Sequence, residues 1–116
     1  MKVEANKYSI KGRIWLEGIQ GPFLGEGKIS LLKAIEKLGS INKAAKSMNM
    51  SYKKAWKLVE AMNQRSSNPL VIRTAGGKDG GGTQLTDSGE KAIKQFNILK
   101  VKLRKFLDKE SAKLSF

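Results

Sequence analysis

The run INKAAKSMNMSYKKAWKL, residues 41–58, decides the fold. Ala44-Ala45 puts two small side chains where a pair of helices would have to touch. Asn49 follows four residues after Ala45, and Asn tolerates a left-handed backbone better than most residues other than Gly. Met48, Met50, Ala55 and Leu58 supply apolar inner positions on both sides of that break. Ser51 stands directly before the second periodic stretch, where a hydroxyl can accept a hydrogen bond from the first free N–H groups of a helix. The spacing predicts helices over 41–48 and 52–64 joined by a sharp turn, a helix-turn-helix. Two packed core helices would share that spacing. The outward positions separate the readings: Ser51, Tyr52, Lys53, Lys54 and Lys57 carry the donors that meet phosphates and base edges. Ser40 can cap the first helix, and with Asn42 can bond a phosphate near its start. Trp56, one turn after Tyr52, reads as the edge of the core rather than as a platform for a base.

Toward the N-terminus, residues 28–38 keep helical spacing, with Ile29, Leu32, Ile35 and Leu31 or Leu38 in an apolar stripe and Gly39 ending it. Residues 8–19, YSIKGRIWLEGI, alternate instead. Ile10, Ile14 and Leu16 share one side and Lys11, Arg13, Trp15 and Glu17 the other, which predicts a strand with one buried face. Trp15 then lies on the polar side, where it would cover an edge or meet a second subunit. Gly18, Gly21-Pro22, Gly25 and Gly27 read as a turn region.

Toward the C-terminus, Leu70-Val71-Ile72-Arg73 reads as a short strand behind Pro69, and Thr83-Gln84-Leu85 as its return, with the glycine-rich 76–82 as a hairpin tip. Such a hairpin after a helix-turn-helix is a wing, and Arg73 and Lys78 are its expected phosphate ligands. The glycines do not form a nucleotide-phosphate loop. Gly27-Lys28 has Pro22 and Ile29, and Gly77-Lys78 has Ile72 and Asp79, where such a loop needs Gly and Ser or Thr. Thr86 can cap a last helix reaching to about Lys113, with Asp87 and Glu90 favourable in its first turn. Phe96, Leu99, Leu103 and Phe106 follow a three-four alternation along it, the pattern of a two-helix seam, and predict a dimer interface.

The composition narrows the function. The 116 residues carry a formal charge of +13, with 23 Lys plus Arg against 10 Asp plus Glu. The excess is spread through every folded-looking segment except 79–89, so it is no basic tail. Such charge points to a polyanion partner. With neither His nor Cys, thiolate or imidazole metal sites and Ser-His or Cys-His catalysis are excluded, and nothing supports an enzyme. Neither a metal nor another cofactor is implied. No apolar run approaches the roughly 20 residues of a membrane span, and the N-terminus has no secretory core, so a cytoplasmic chain with no membrane partner is expected.

The segments GRIWLE (12–17), GKISLLKAIEKLGSINKAAKSMNMSYKKAWKLVEAMN (27–63) and PLVIRTAGGKDGGGTQLTDSGE (69–90), with the trailing helix, resemble the N-terminal DNA-binding domain of the ModE family. These are molybdate-responsive bacterial and archaeal transcriptional regulators. The Leu85-Thr86 and Gly89 ending is also similar to the LysR-type winged helix. The resemblance implies a winged helix-turn-helix that dimerises through its long helix and binds palindromic operators of molybdenum-related genes. Full-length members continue into molybdate-binding modules that this sequence lacks, so molybdate is not expected to bind this chain directly.

The expected fold class is therefore α+β, mainly α: a winged helix-turn-helix domain over 1–86 and a C-terminal dimerisation helix over 87–116. The expected function is sequence-specific binding of double-stranded DNA by a homodimeric transcriptional regulator. The competing readings are a basic RNA- or nucleoid-binding protein of low sequence specificity, and a protein-interaction module on the same fold.

Overall fold

A computed structural model describes residues 7–74 and 82–116. Its elements are β1 (Leu16–Gly18), β2 (Gly21–Leu24), α1 (Glu26–Leu38), α2 (Ile41–Ser47), α3 (Tyr52–Arg65), β3 (Val71–Arg73), β4 (Thr83–Leu85) and α4 (Asp87–Ser111). Two antiparallel hairpins flank a helical core, β1 with β2 and β3 with β4.

Each local stop signal acts through a specific bond. Gly39 ends α1 in the left-handed conformation (φ 68°), its N–H donating to the Ile35 carbonyl at 2.8 Å. The hydroxyl oxygens of Ser40, Ser51 and Thr86 accept from the N–H groups of Lys43, Lys54 and Gly89 at 3.2, 3.0 and 3.1 Å. Three helix starts thereby satisfy one of their free donors from a neighbouring side chain.

The core joins every helix. Leu31, Leu32 and Ile35 of α1, Ala44 of α2, and Ala55, Val59 and Met62 of α3 are fully buried. Phe96 of α4 closes the same cluster at 1% exposure. Ala44 and Ala45 of α2 and Ala55 of α3 are all buried, and side chains this small let two helix backbones approach. Leu38, a candidate for the α1 stripe, is exposed instead.

The N-terminal region differs from the alternation-based expectation of a strand over 8–19. Pairing is confined to Leu16–Gly18, with Leu16 opposite Leu24 and Gly18 opposite Gly21. The partner strand Gly21–Leu24 lies in the stretch expected as a turn. Pro22 is compatible with a two-stranded hairpin because neither strand has a second neighbour to supply. Upstream, residues 8–14 run along the C-terminal half of α4. The Ile10 N–H donates to Ser111 Oγ at 2.7 Å, and a Cβ at Gly12 would meet the Leu107 side chain at 3.2 Å. Tyr8 and Phe116 stack edge to face, their centroids 5.1 Å apart. Along this strap and into β1, Ile10, Ile14 and Leu16 are half-buried while Tyr8 and Gly12 are exposed, so the expected alternation holds over residues 13–17 and not before them.

The wing is tied to the helices at three points. Asn63, near the end of α3, donates through Nδ2 to the Val71 carbonyl at 2.9 Å and accepts from the N–H of Leu70 at 2.8 Å. The Thr83 N–H donates to the Gly39 carbonyl at 3.0 Å, joining β4 to the α1–α2 turn. The first turn of α4 crosses the start of β3, and a Cβ on Gly89 would fall on the Leu70 carbonyl oxygen. That oxygen already accepts from the Thr86 N–H. Gly89→Ala must push backbone from backbone and is expected to cost about 1–3 kcal/mol of stability, measured as a lowered denaturant midpoint with unchanged slope.

Candidate nucleic-acid interface

The turn between α2 and α3 is built as its sequence requires. Asn49 has φ 54°, alone among described non-Gly residues in adopting a positive value. The Met50 N–H reaches back to the Ala45 carbonyl at 3.0 Å and the Asn49 N–H to the Lys46 carbonyl at 3.2 Å. Met48, Met50 and Leu58 pack against the core from its margin. Helix α3 thus leaves the turn with its N-terminus free and its inner face pinned by Ala55, Val59 and Met62.

What α3 shows outward is basic. Ser51, Tyr52, Lys53, Lys54 and Lys57 are all exposed, over about two turns. Asn42 is exposed at the start of α2 and Ser40 half-exposed beside it. Among the described residues the ion pairs are Lys100–Glu26 and Lys113–Glu110. The lysines of α3 therefore carry charge that no described carboxylate compensates. Lys78 lies outside the described residues.

Arg73 is exposed on β3, and its partner is aromatic: the guanidinium carbon lies 4.1 Å from the centroid of the Trp56 ring. Trp56 packs partly against the core, as expected of an edge residue. The stack between them was not visible in the sequence, because the 16 residues that separate them carry no local signal of contact.

Two further cations, one at the far end of α3 and one in the first turn of α1, have a different task. Arg65 donates to the Pro22 carbonyl at 2.6 Å, and Lys28 donates to the Phe23 carbonyl at 3.1 Å. Burial, and then repulsion from Arg65, lower the Lys28 pKa from its ordinary value. These two residues clamp the β1–β2 hairpin onto α1 and α3.

The expected seam on α4 divides. Phe96 is in the core of its own domain and is not available to a partner. Spacing alone could not reveal this, since an intradomain face and an intersubunit face share one period. Leu103 is half-buried and, with Leu107, lines a groove beside residues 10–14. Leu99 (39% exposed) and Phe106 (59%) remain at the surface, joined by Ile98 and Val101. The core also runs through the expected boundary between 86 and 87, since Phe96 closes it. Trp15 is exposed and donates to Glu17 Oε1 at 2.8 Å. Among the described residues no cluster of three or more acids could hold a metal ion, and no helix is long and apolar enough to cross a membrane.

Residues 27–90 match the family model described as bacterial regulatory helix-turn-helix protein, lysR family. The Molybdenum transport protein ModE of Azotobacter vinelandii is 44% identical over 103 residues, covering 89% of this chain and 38% of that protein. The Transcriptional regulator ModE of Haemophilus influenzae is 46% identical over 80 residues, 69% of this chain and 31% of that one. The chain thus spans about a third of the length of these relatives. Among solved structures, a LysR family transcriptional regulator superposes with a TM-score of 0.53 at 17% identity, over 70% of this chain and 26% of that chain. ArgP from Mycobacterium tuberculosis gives 0.50 at 18%, over 67% and 28%. At such identity these two structures speak for the fold.

Proposed function

The chain belongs to the lysR family of bacterial regulatory helix-turn-helix proteins, and on that footing we propose that it binds double-stranded DNA sequence-specifically as a regulator of molybdenum-related genes. One observation carries the DNA-binding reading. Helix α3 is capped by Ser51, fixed by a buried inner face, and presents Lys53, Lys54 and Lys57 without a described acid partner. A helix so held can enter a major groove, where its leading side chains reach base edges. Ser40, Asn42 and Arg73 flank it as phosphate contacts, with Lys78 in the segment between β3 and β4. The names of the relatives motivate the choice of target genes. Operator DNA places the working protein in the cytoplasm.

The same reading makes the protein a homodimer, with Leu99 and Phe106 of α4 at the contact and Leu103 at its margin. A single winged domain covers one half-site, and a palindromic site calls for a two-fold protein. Residues 1–86 carry the DNA contacts and 87–116 the dimer contact, although the start of α4 also completes the core.

The test is discrimination. Lys53→Ala and Lys54→Ala are expected to weaken binding to an operator selected from random duplexes more than binding to its scrambled counterpart, by about 1–3 kcal/mol for each lost base contact. Lys78→Ala is expected to weaken both equally. Equal losses on both duplexes for the α3 variants would mean that this helix touches phosphates alone, and would favour a low-specificity nucleic-acid binder.

A further inference from the structure

Among the described charged groups beside α3, Arg73 alone is held by a ring. We propose that Trp56 is a positioning residue for DNA binding: its indole holds the Arg73 guanidinium flat, so that the N–H edge of Arg73 is presented to a backbone phosphate next to the recognition helix. This inference rests on the DNA-binding reading given above and deepens it.

Three observations converge. The guanidinium carbon sits 4.1 Å from the Trp56 ring centroid, a stacking distance. Stacking occupies the face of a guanidinium and leaves its five donors, which lie in the plane, free to point at an anion. Second, no ion pair joins Arg73 to an acid among the described residues, so its charge stays available. A carboxylate would fix the side chain and neutralise it, whereas an aromatic face fixes it and leaves the charge. Third, the backbone beneath Arg73 is preset against the same helix. Asn63 of α3 bonds both the N–H and the carbonyl of Val71, and Arg73 pairs with Thr83 across the hairpin. Side chains alternate along a strand, so Arg73 leaves β3 on the side of the buried Val71, toward α3, while Ile72 faces away.

The arrangement is preorganisation. A free arginine loses rotamer freedom when it grips a phosphate, whereas one already stacked loses less. The stack also couples the wing to the recognition helix, so a phosphate gripped by Arg73 fixes the position of α3 in the groove. Trp56 itself need not touch DNA.

Phosphate contacts do not depend on sequence, so the probe is a random duplex of about 30 base pairs, titrated at several salt concentrations with the full chain. Arg73→Gln is expected to weaken binding and to flatten the plot of log affinity against log salt by about 0.9 per bound protomer. Trp56→Leu should weaken binding about two- to five-fold, the worth of one exposed cation–π contact. Trp56→Phe should restore most of that loss, because it keeps a π face. The double variant W56L/R73Q should bind no worse than R73Q. Losses that multiply in the double variant, or a Trp56→Leu chain that binds like the unaltered one, would overturn the proposal.

A second readout needs neither DNA nor Trp56→Leu. In a Trp15→Phe background Trp56 is the sole indole, and Arg73→Gln should shift its emission. Unchanged emission would overturn the stack even if Trp56→Leu fails to fold. If the unaltered chain binds no duplex, the DNA-binding reading falls and this one with it. If it binds but the two residues act independently, this one alone falls.

Discussion

Raising salt from 50 to 200 mM is expected to weaken duplex binding by about 10³–10⁵-fold, if a dimer neutralises about 6–10 phosphates. The chain carries +13, and the lysines of α3 meet no described carboxylate. Each phosphate gripped releases condensed counterions, and added salt opposes that release. Fluorescence anisotropy of a labelled duplex across a salt series measures the slope directly. A flat response would contradict docking through phosphates and leave the charge as a property of solubility alone.

Phe96→Ala and Phe106→Ala are expected to differ in kind, although the two residues lie ten apart on one helix. Phe96 is 1% exposed in the common core. Truncating a buried phenylalanine costs about 3–5 kcal/mol, a large share of the roughly 5–15 kcal/mol that holds a small domain folded. That variant should lose much of its thermal stability. Phe106 is 59% exposed, so its truncation should leave the protomer's stability nearly unchanged. Its loss should appear in association instead, weakening the dimer by roughly 30-fold if Phe106 is an interface hot spot. Sedimentation across a concentration series, beside thermal melts, separates the two effects. A Phe106→Ala protein that stays dimeric at the concentrations of the parent would move the contact to Ile98 and Val101 or away from α4.

Local chemistry was legible in the sequence, and distant contact was not. The caps at Ser40, Ser51 and Thr86 could be read because each hydroxyl bonds an N–H three residues ahead. The left-handed turns at Gly39 and Asn49 could be read because few residues accept that conformation. Helix α3 came within a residue of its observed end, since its apolar spacing and its cap agree. The failures share another cause. Phe96 has the spacing of a seam residue, and only the packing of α4 on α1 shows that its own domain has claimed it. Gly21-Pro22 looks like punctuation until Leu16 and Leu24 are seen to pair across it. The Arg73–Trp56 stack depends on where the wing lands, which no window of local sequence contains.

The strap from residue 8 to 14 bears on how the chain is made. Its bond from the Ile10 N–H ends on Ser111 Oγ, 101 residues away, and its other contacts are with Leu107 and Phe116. A nascent chain emerges N-terminus first, so these early residues have nothing to lie on until the last turn of α4 has been synthesised. Leu103 and Leu107 line a groove shared with residues 10–14, so a protomer whose strap has not yet seated shows a broader apolar face beside Phe106 than a finished one.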